Sequence, residues 1–175
     1  MAEMGDMVGL RDFVEGEYGR LDALVNCAAD NLWKVFEDTT VEEWDRSIGI
    51  NLRAPFVLSK LFLPLMKGQG GGSIVNISSG SATRGFVAEV GYCPSKYGLE
   101  GLTQVLAMEF YQYNIAVNSL SPSAPEGLKL RPSRLTPEGR KICLRRLGLV
   151  SLTMKVWLRR SPRLGASSRY RTPGV

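Results

Sequence analysis

Three short apolar segments, at about 22–26, 73–77 and 115–120, are separated by two long stretches of helical periodicity, at about 40–66 and 92–112. Strands this far apart are not hairpin partners, so a crossover helix has to join them as parallel neighbours. The alternation predicts an α/β domain with right-handed βαβ connections. The clearest strand is Ser73-Ile74-Val75-Asn76-Ile77, which stops at the small polar residues Ser78, Ser79 and Gly80. An earlier helix is expected between Met1 and Gly19, with Val8, Leu10, Phe13 and Val14 on its apolar face. An apolar content of 44% in 175 residues suffices for one core.

The two long helices carry further signals. Thr40-Val41-Glu42-Glu43 has the form of a capping box, and Val41, Trp44, Ile48 and Leu52 follow at helical spacing. Pro55 is expected to bend this helix. Beyond it Phe56, Val57, Leu58, Leu61, Phe62, Leu63, Leu65 and Met66 are apolar nearly all round, which fits either a deeply buried core helix or a subunit interface. Lys60 and two prolines interrupt the run, which argues against a membrane span. In the second helix Leu99, Leu102, Leu106 and Phe110 form one buried stripe.

Chemistry enters with Tyr92-Cys93-Pro94-Ser95-Lys96, thirteen residues after Ser79. On a helix Tyr92 and Lys96 lie one turn apart on one face, so the ammonium can sit near the phenol and favour its ionised form. Tyr92 could then exchange a proton with a substrate oxygen while the Ser79 hydroxyl holds that oxygen. Ser79 also stands at the C-terminal end of its strand, where open α/β sheets bind ligands.

These words, in this order, resemble the short-chain dehydrogenase/reductase family across most of residues 8–123. Leu24-Val25-Asn26-Cys27-Ala28-Ala29 is similar to the family's Asn-Asn-Ala-Gly turn, Ile50-Asn51-Leu52 to its helix asparagine, and Val117-Asn118-Ser119-Leu120-Ser121-Pro122 to the strand that follows. The resemblance implies a partial Rossmann-like, doubly wound parallel sheet of about three strands with flanking helices, the C-terminal half of the family fold. It also implies an oxidoreductase that interconverts a carbonyl and an alcohol with NAD or NADP. Tyr92 would be the general acid/base, Lys96 would depress its pKa and bind the cofactor ribose, and Ser79 would orient the carbonyl. Asn51 would hold a proton-relay water, and Asn26, Ala28 and Pro122 would line the cofactor. Relatives pair the helices equivalent to 40–66 and 92–112, so a homo-oligomer joined there, around Phe110, is expected.

Other residues depart from that pattern. The family's opening strand and glycine-rich phosphate turn are not found, and with them goes the residue that selects NAD or NADP; the resemblance implies a chain truncated at its N-terminus. Gly5, Gly9, Gly16 and Gly19 follow no strand and receive no phosphate role. Ala29 and Ser123 stand where relatives usually have glycine. The first of the family strands found would have an open, apolar outer edge, which predicts marginal stability or association. A catalytically inactive remnant, acting through helix association or its basic tail, is therefore the alternative.

Charge divides the chain. Residues 1–127 carry sixteen acidic and nine basic side chains, and residues 128–175 carry one acidic and thirteen basic. The first segment reads as the partial domain and the second as a basic extension, with one short helix allowed between Ile142 and Trp157. Clustered arginines could bind polyanions, but no nucleic-acid motif accompanies them. Leu128, Leu130 and Pro132 could cover an apolar substrate. With no histidine, Ser-His-Asp triads and histidine-ligated metals are excluded. Cys27, Cys93 and Cys143 lack metal or redox spacing, no metal site is expected, and a reducing cytoplasm is expected. Cys93 reads as a small packing residue in preference to a reactive thiol.

Overall fold

The structure, a computed structural model, describes residues 4–122. The basic segment 128–175, the helix expected between Ile142 and Trp157, the loop after Pro122 with Ser123, and Cys143 lie outside the described residues. The elements run α1 (Met4–Tyr18), β1 (Ala23–Asn26), α2 (Val41–Ile48), α3 (Ala54–Gly68), β2 (Gly72–Ile77), α4 (Tyr92–Phe110) and β3 (Ile115–Leu120). A π-helical turn, Gly49–Arg53, joins α2 to α3, and short 3-10 turns fill Phe36–Asp38, Gly80–Ala82 and Tyr111–Tyr113.

All three strands are parallel and pair in the order β1-β2-β3. Leu24 lies opposite Ile74, and Ile74 opposite Val117, so one sheet face presents a row of aliphatic side chains. Phe62 and Met66 of α3 and Leu106 and Phe110 of α4 close over that row, with Val14 of α1 and Leu102 at its margin. At about 25 cal/mol per Å², burying side chains of this size stabilises the fold by roughly 1.5–3 kcal/mol each. On the opposite face Val25 and Leu120 stay 55% and 38% exposed. Among the described residues β1 pairs with β2 alone.

The α2 cap forms as read: Thr40 Oγ1 accepts from the Glu43 amide at 3.2 Å, and the Glu43 carboxylate accepts from the Thr40 amide at 3.0 Å. Two apolar faces differ from expectation. In α1 it is Met7 that is buried, while Leu10 and Phe13 point outward. In α2 Val41 and Trp44 are exposed, and the inward face carries Ser47 and then Asn51. The bend expected at Pro55 takes the form of the π turn just before it. Proline lacks an amide proton and crowds the carbonyl four residues back, and a wider turn accommodates both.

The helical run Val41–Gly68 is not broken by either proline and, at 28 residues, is long and apolar enough to cross a bilayer. Interruption is therefore no argument against a span; what the structure shows is that one side of the run, with Phe62 and Met66, is fully buried in the core, while Phe56 is exposed. Phe110, expected at a subunit interface, is also buried inside.

Candidate active site

The site lies beyond the carboxyl ends of the strands. Ser79 follows β2, Ala28 follows β1, Pro122 follows β3, and Tyr92 opens α4. Helix α4 comes close to α2 and the π turn because glycine faces them: a Cβ at Gly91 would lie 3.0 Å from Ser47 Cβ, and one at Gly98 would lie 2.7 Å from Leu52 Cδ2. This approach puts Asn51 within reach of α4.

Asn51, 1% exposed, is fully engaged. Its Oδ1 accepts from the Asp30 amide at 2.8 Å, and its Nδ2 donates to Asp30 O at 2.8 Å and to Ser95 Oγ at 3.0 Å, with a longer contact to Ser47 Oγ at 3.3 Å. Asn51 thus clamps the loop after β1 to α4. Its contact on α4 is Ser95, the neighbour of Lys96, and not the ammonium.

Lys96 is 2% exposed and donates to Ile77 O at 2.7 Å. Its ammonium lies over the Tyr92 ring, 5.4 Å from the centroid, so the two side chains share a face as the spacing predicts. Burial pushes the Lys96 pKa down, opposed by Cys27 and Glu100. Burial also pushes the Tyr92 phenol above its ordinary value; a side-chain hydrogen bond with Ser79 draws it back, and Glu89 and Cys93 raise it further. The expected depression of the phenol by Lys96 is therefore not the dominant effect in this geometry. Desolvation dominates, Ser79 supplies the opposing pull, and Lys96 is not among the groups that shift the phenol.

The expected cofactor-lining residues separate. Ala28 and Pro122 are exposed at the strand ends. Asn26 is buried, and its Nδ2 donates to Asn76 Oδ1 at 2.8 Å across the β1–β2 pair. Asn76 in turn donates to Thr103 Oγ1 at 2.9 Å. Asn26 therefore belongs to a polar chain that ties the sheet to α4. Cys93 is buried against Glu89 with its thiol pushed up to about 11, which fits a packing role. Ser81, which sequence reasoning passed over along with Glu89, contacts Ser79 and in turn donates to Glu89. The only hint of them in sequence is an isolated acidic residue just before an otherwise uncharged helix start.

Serine, tyrosine and buried lysine gather at the carboxyl edge of a parallel sheet, which defines a class: an open α/β domain with a polar cluster at its strand ends. The comparisons give that class its family. The model of the short chain dehydrogenase family matches residues 1–128. The chain is 35% identical over 123 residues to D-threitol dehydrogenase of Mycolicibacterium smegmatis, covering 70% of this chain and 47% of that one. It is 39% identical over 106 residues to NAD-dependent glycerol dehydrogenase of Listeria innocua, covering 61% and 42%. A metagenomic short-chain oxidoreductase solved in complex with NADP superimposes with a TM-score of 0.66 at 31% identity, over 70% of this chain and 56% of that one. The chain belongs to the short-chain dehydrogenase family, an oxidoreductase lineage, and spans less than half the length of these curated relatives.

Proposed function

We propose that residues 1–127 form the proton-transfer part of an NAD(P)-dependent oxidoreductase that interconverts a small-molecule carbonyl and alcohol. The observation that carries this reading is the convergence of Ser79, Tyr92 and buried Lys96 at the strand ends. Tyr92 would give its proton to the carbonyl oxygen during reduction and take one from the alcohol during oxidation. Ser79, whose hydroxyl already bears on the phenol, would hold that oxygen in place.

The residues present fit the ribose and nicotinamide end of a dinucleotide. An ammonium has three protons. Lys96 commits one of them to Ile77 O, so others can meet ribose hydroxyls. Ala28 and Pro122 offer an exposed floor at the strand ends. Asn26 would support that floor from below, and Asn51 would fix the Asp30 loop beside it. When bound, the nicotinamide supplies or accepts the hydride. Among the described residues no glycine-rich strand-to-helix turn is present for the pyrophosphate.

Titration of the full chain with NADH and with NADPH, followed by turnover on a panel of small ketones and polyols, tests the proposal. Saturable binding to one dinucleotide with turnover supports it. Binding weaker than about 1 mM to both, with no turnover, would sink it and favour a non-catalytic member of the family. A homo-oligomer joined by α3 and α4 is proposed through Phe56, Val105 and Met108, which are exposed, and no longer through Phe110. Sedimentation of a Met108→Glu variant tests that surface; an unchanged oligomer would reject it.

A further inference from the structure

Glu89 is buried, 6% exposed, and among the described residues no lysine or arginine pairs with it. A buried carboxylate without a cation is costly, and such costs concentrate at functional sites. Its Oε2 accepts from Ser81 Oγ at 2.6 Å and from the Cys93 thiol at 3.3 Å. Ala88, just before it, holds a φ of 66°, a left-handed conformation that alanine seldom adopts. The Ala88 carbonyl accepts from the Lys34 amide at 2.9 Å, which pins the loop in that conformation. The Lys34 ammonium goes to Glu43 instead of Glu89.

The consequence runs through Ser81 to Ser79. A serine hydroxyl has one proton. That of Ser81 is committed to Glu89, so Ser81 Oγ meets Ser79 only as an acceptor, at 3.3 Å. The Ser81 amide donates to Ser79 Oγ at 3.2 Å. Ser79 is thereby fixed as an acceptor from below, and its own proton rests on a long, weak contact that a substrate oxygen can displace. We propose that Glu89 is a positioning residue which, through Ser81, fixes the Ser79 oxygen in place and holds its proton on a contact weak enough to be surrendered to the reacting oxygen beside Tyr92.

This inference rests on the oxidoreductase reading, and its test separates the two. Charged or ionisable groups bearing on the phenol are Glu89 and Cys93, with Lys96 over the ring, and the Ser79 hydroxyl draws its pKa down. With an active chain, Glu89→Ala and Ser81→Ala each lower kcat by about tenfold or more, with KM for the dinucleotide unchanged. Glu89→Gln keeps an acceptor for Ser81 and recovers most of that loss. Circular dichroism confirms folding, and if Glu89→Ala does not fold, Ser81→Ala and Glu89→Gln decide.

If the wild type turns nothing over, the broader reading fails, yet Glu89 is still tested by alkaline absorbance titration. The Tyr92 transition is isolated as the difference between each chain and its Tyr92→Phe counterpart. It should move to lower pH in Glu89→Gln, because a negative charge facing the phenol has gone. An unmoved transition, or wild-type kcat in folded Glu89→Ala and Ser81→Ala, overturns the proposal.

Discussion

Replacing Asn51 by alanine removes the clamp between the Asp30 loop and α4. Three of its hydrogen bonds are short, at 2.8, 2.8 and 3.0 Å, and the fourth, at 3.3 Å, counts for less. With each neutral hydrogen bond contributing about 0.5–1.5 kcal/mol net, the loss comes to roughly 3 kcal/mol. Asp30 is half-buried, so water can reach part of the backbone left without a partner, which keeps the cost from rising further. A domain of this size holds only about 5–15 kcal/mol in total, so the change is large. Equilibrium urea unfolding followed by tryptophan fluorescence measures it as a shift in midpoint at constant slope. Asn51→Asp is the sharper probe, since it keeps shape and acceptor but turns an oxygen toward Asp30 O. It should destabilise by at least 1 kcal/mol, the order of one lost donor. A cost below about 0.5 kcal/mol for Asn51→Asp would refute the donor role assigned to the amide.

Other expectations follow from single groups. At pH 8 a thiol with a pKa near 11 is about one part in a thousand thiolate. Disulfide-exchange labelling should therefore modify exposed Cys27 far faster than Cys93, and equal rates would contradict the burial of Cys93. Thr40→Ala breaks the α2 capping box and should cost about 1 kcal/mol in urea unfolding; no change would mean that the cap contributes nothing. The raised Tyr92 pKa has a definite sign: the folded chain retains a proton that the unfolded chain loses from about pH 10. Its stabilising effect is full below that pH and is lost as pH rises through the folded value. Tyr92→Phe should flatten this alkaline loss in unfolding experiments, and an identical slope would show that the phenol is not perturbed.

Much of the fold was legible because strands and apolar helix stripes announce themselves by period. The β-branched run at 73–77 and the Leu99–Phe110 stripe stand within a residue or two of where their patterns place them. Period placed helices α1 and α2 but not their inward faces, since Leu10, Phe13, Val41 and Trp44 are exposed while Val14 packs on the core. The inward positions of α2 are Ser47 and Asn51, and hydropathy cannot distinguish a buried, satisfied polar side chain from a solvated one. Pro55 marks where the helix is perturbed but not that the answer is a π turn, and the φ of Ala88, set by tertiary contacts, leaves no sequence signature. In the site, spacing put Tyr92 and Lys96 on one face, but not which influence governs the phenol. That depends on desolvation and on the Ser79 contact, both products of packing.

The central claim is that Tyr92 moves the proton. The most direct measurement compares wild type and Tyr92→Phe for dinucleotide affinity and for single-turnover carbonyl reduction. The account predicts unchanged affinity and a rate lower by about 10²–10⁴-fold, the usual contribution of general acid/base catalysis. A Tyr92→Phe chain that reduces the carbonyl at the wild-type rate would contradict it.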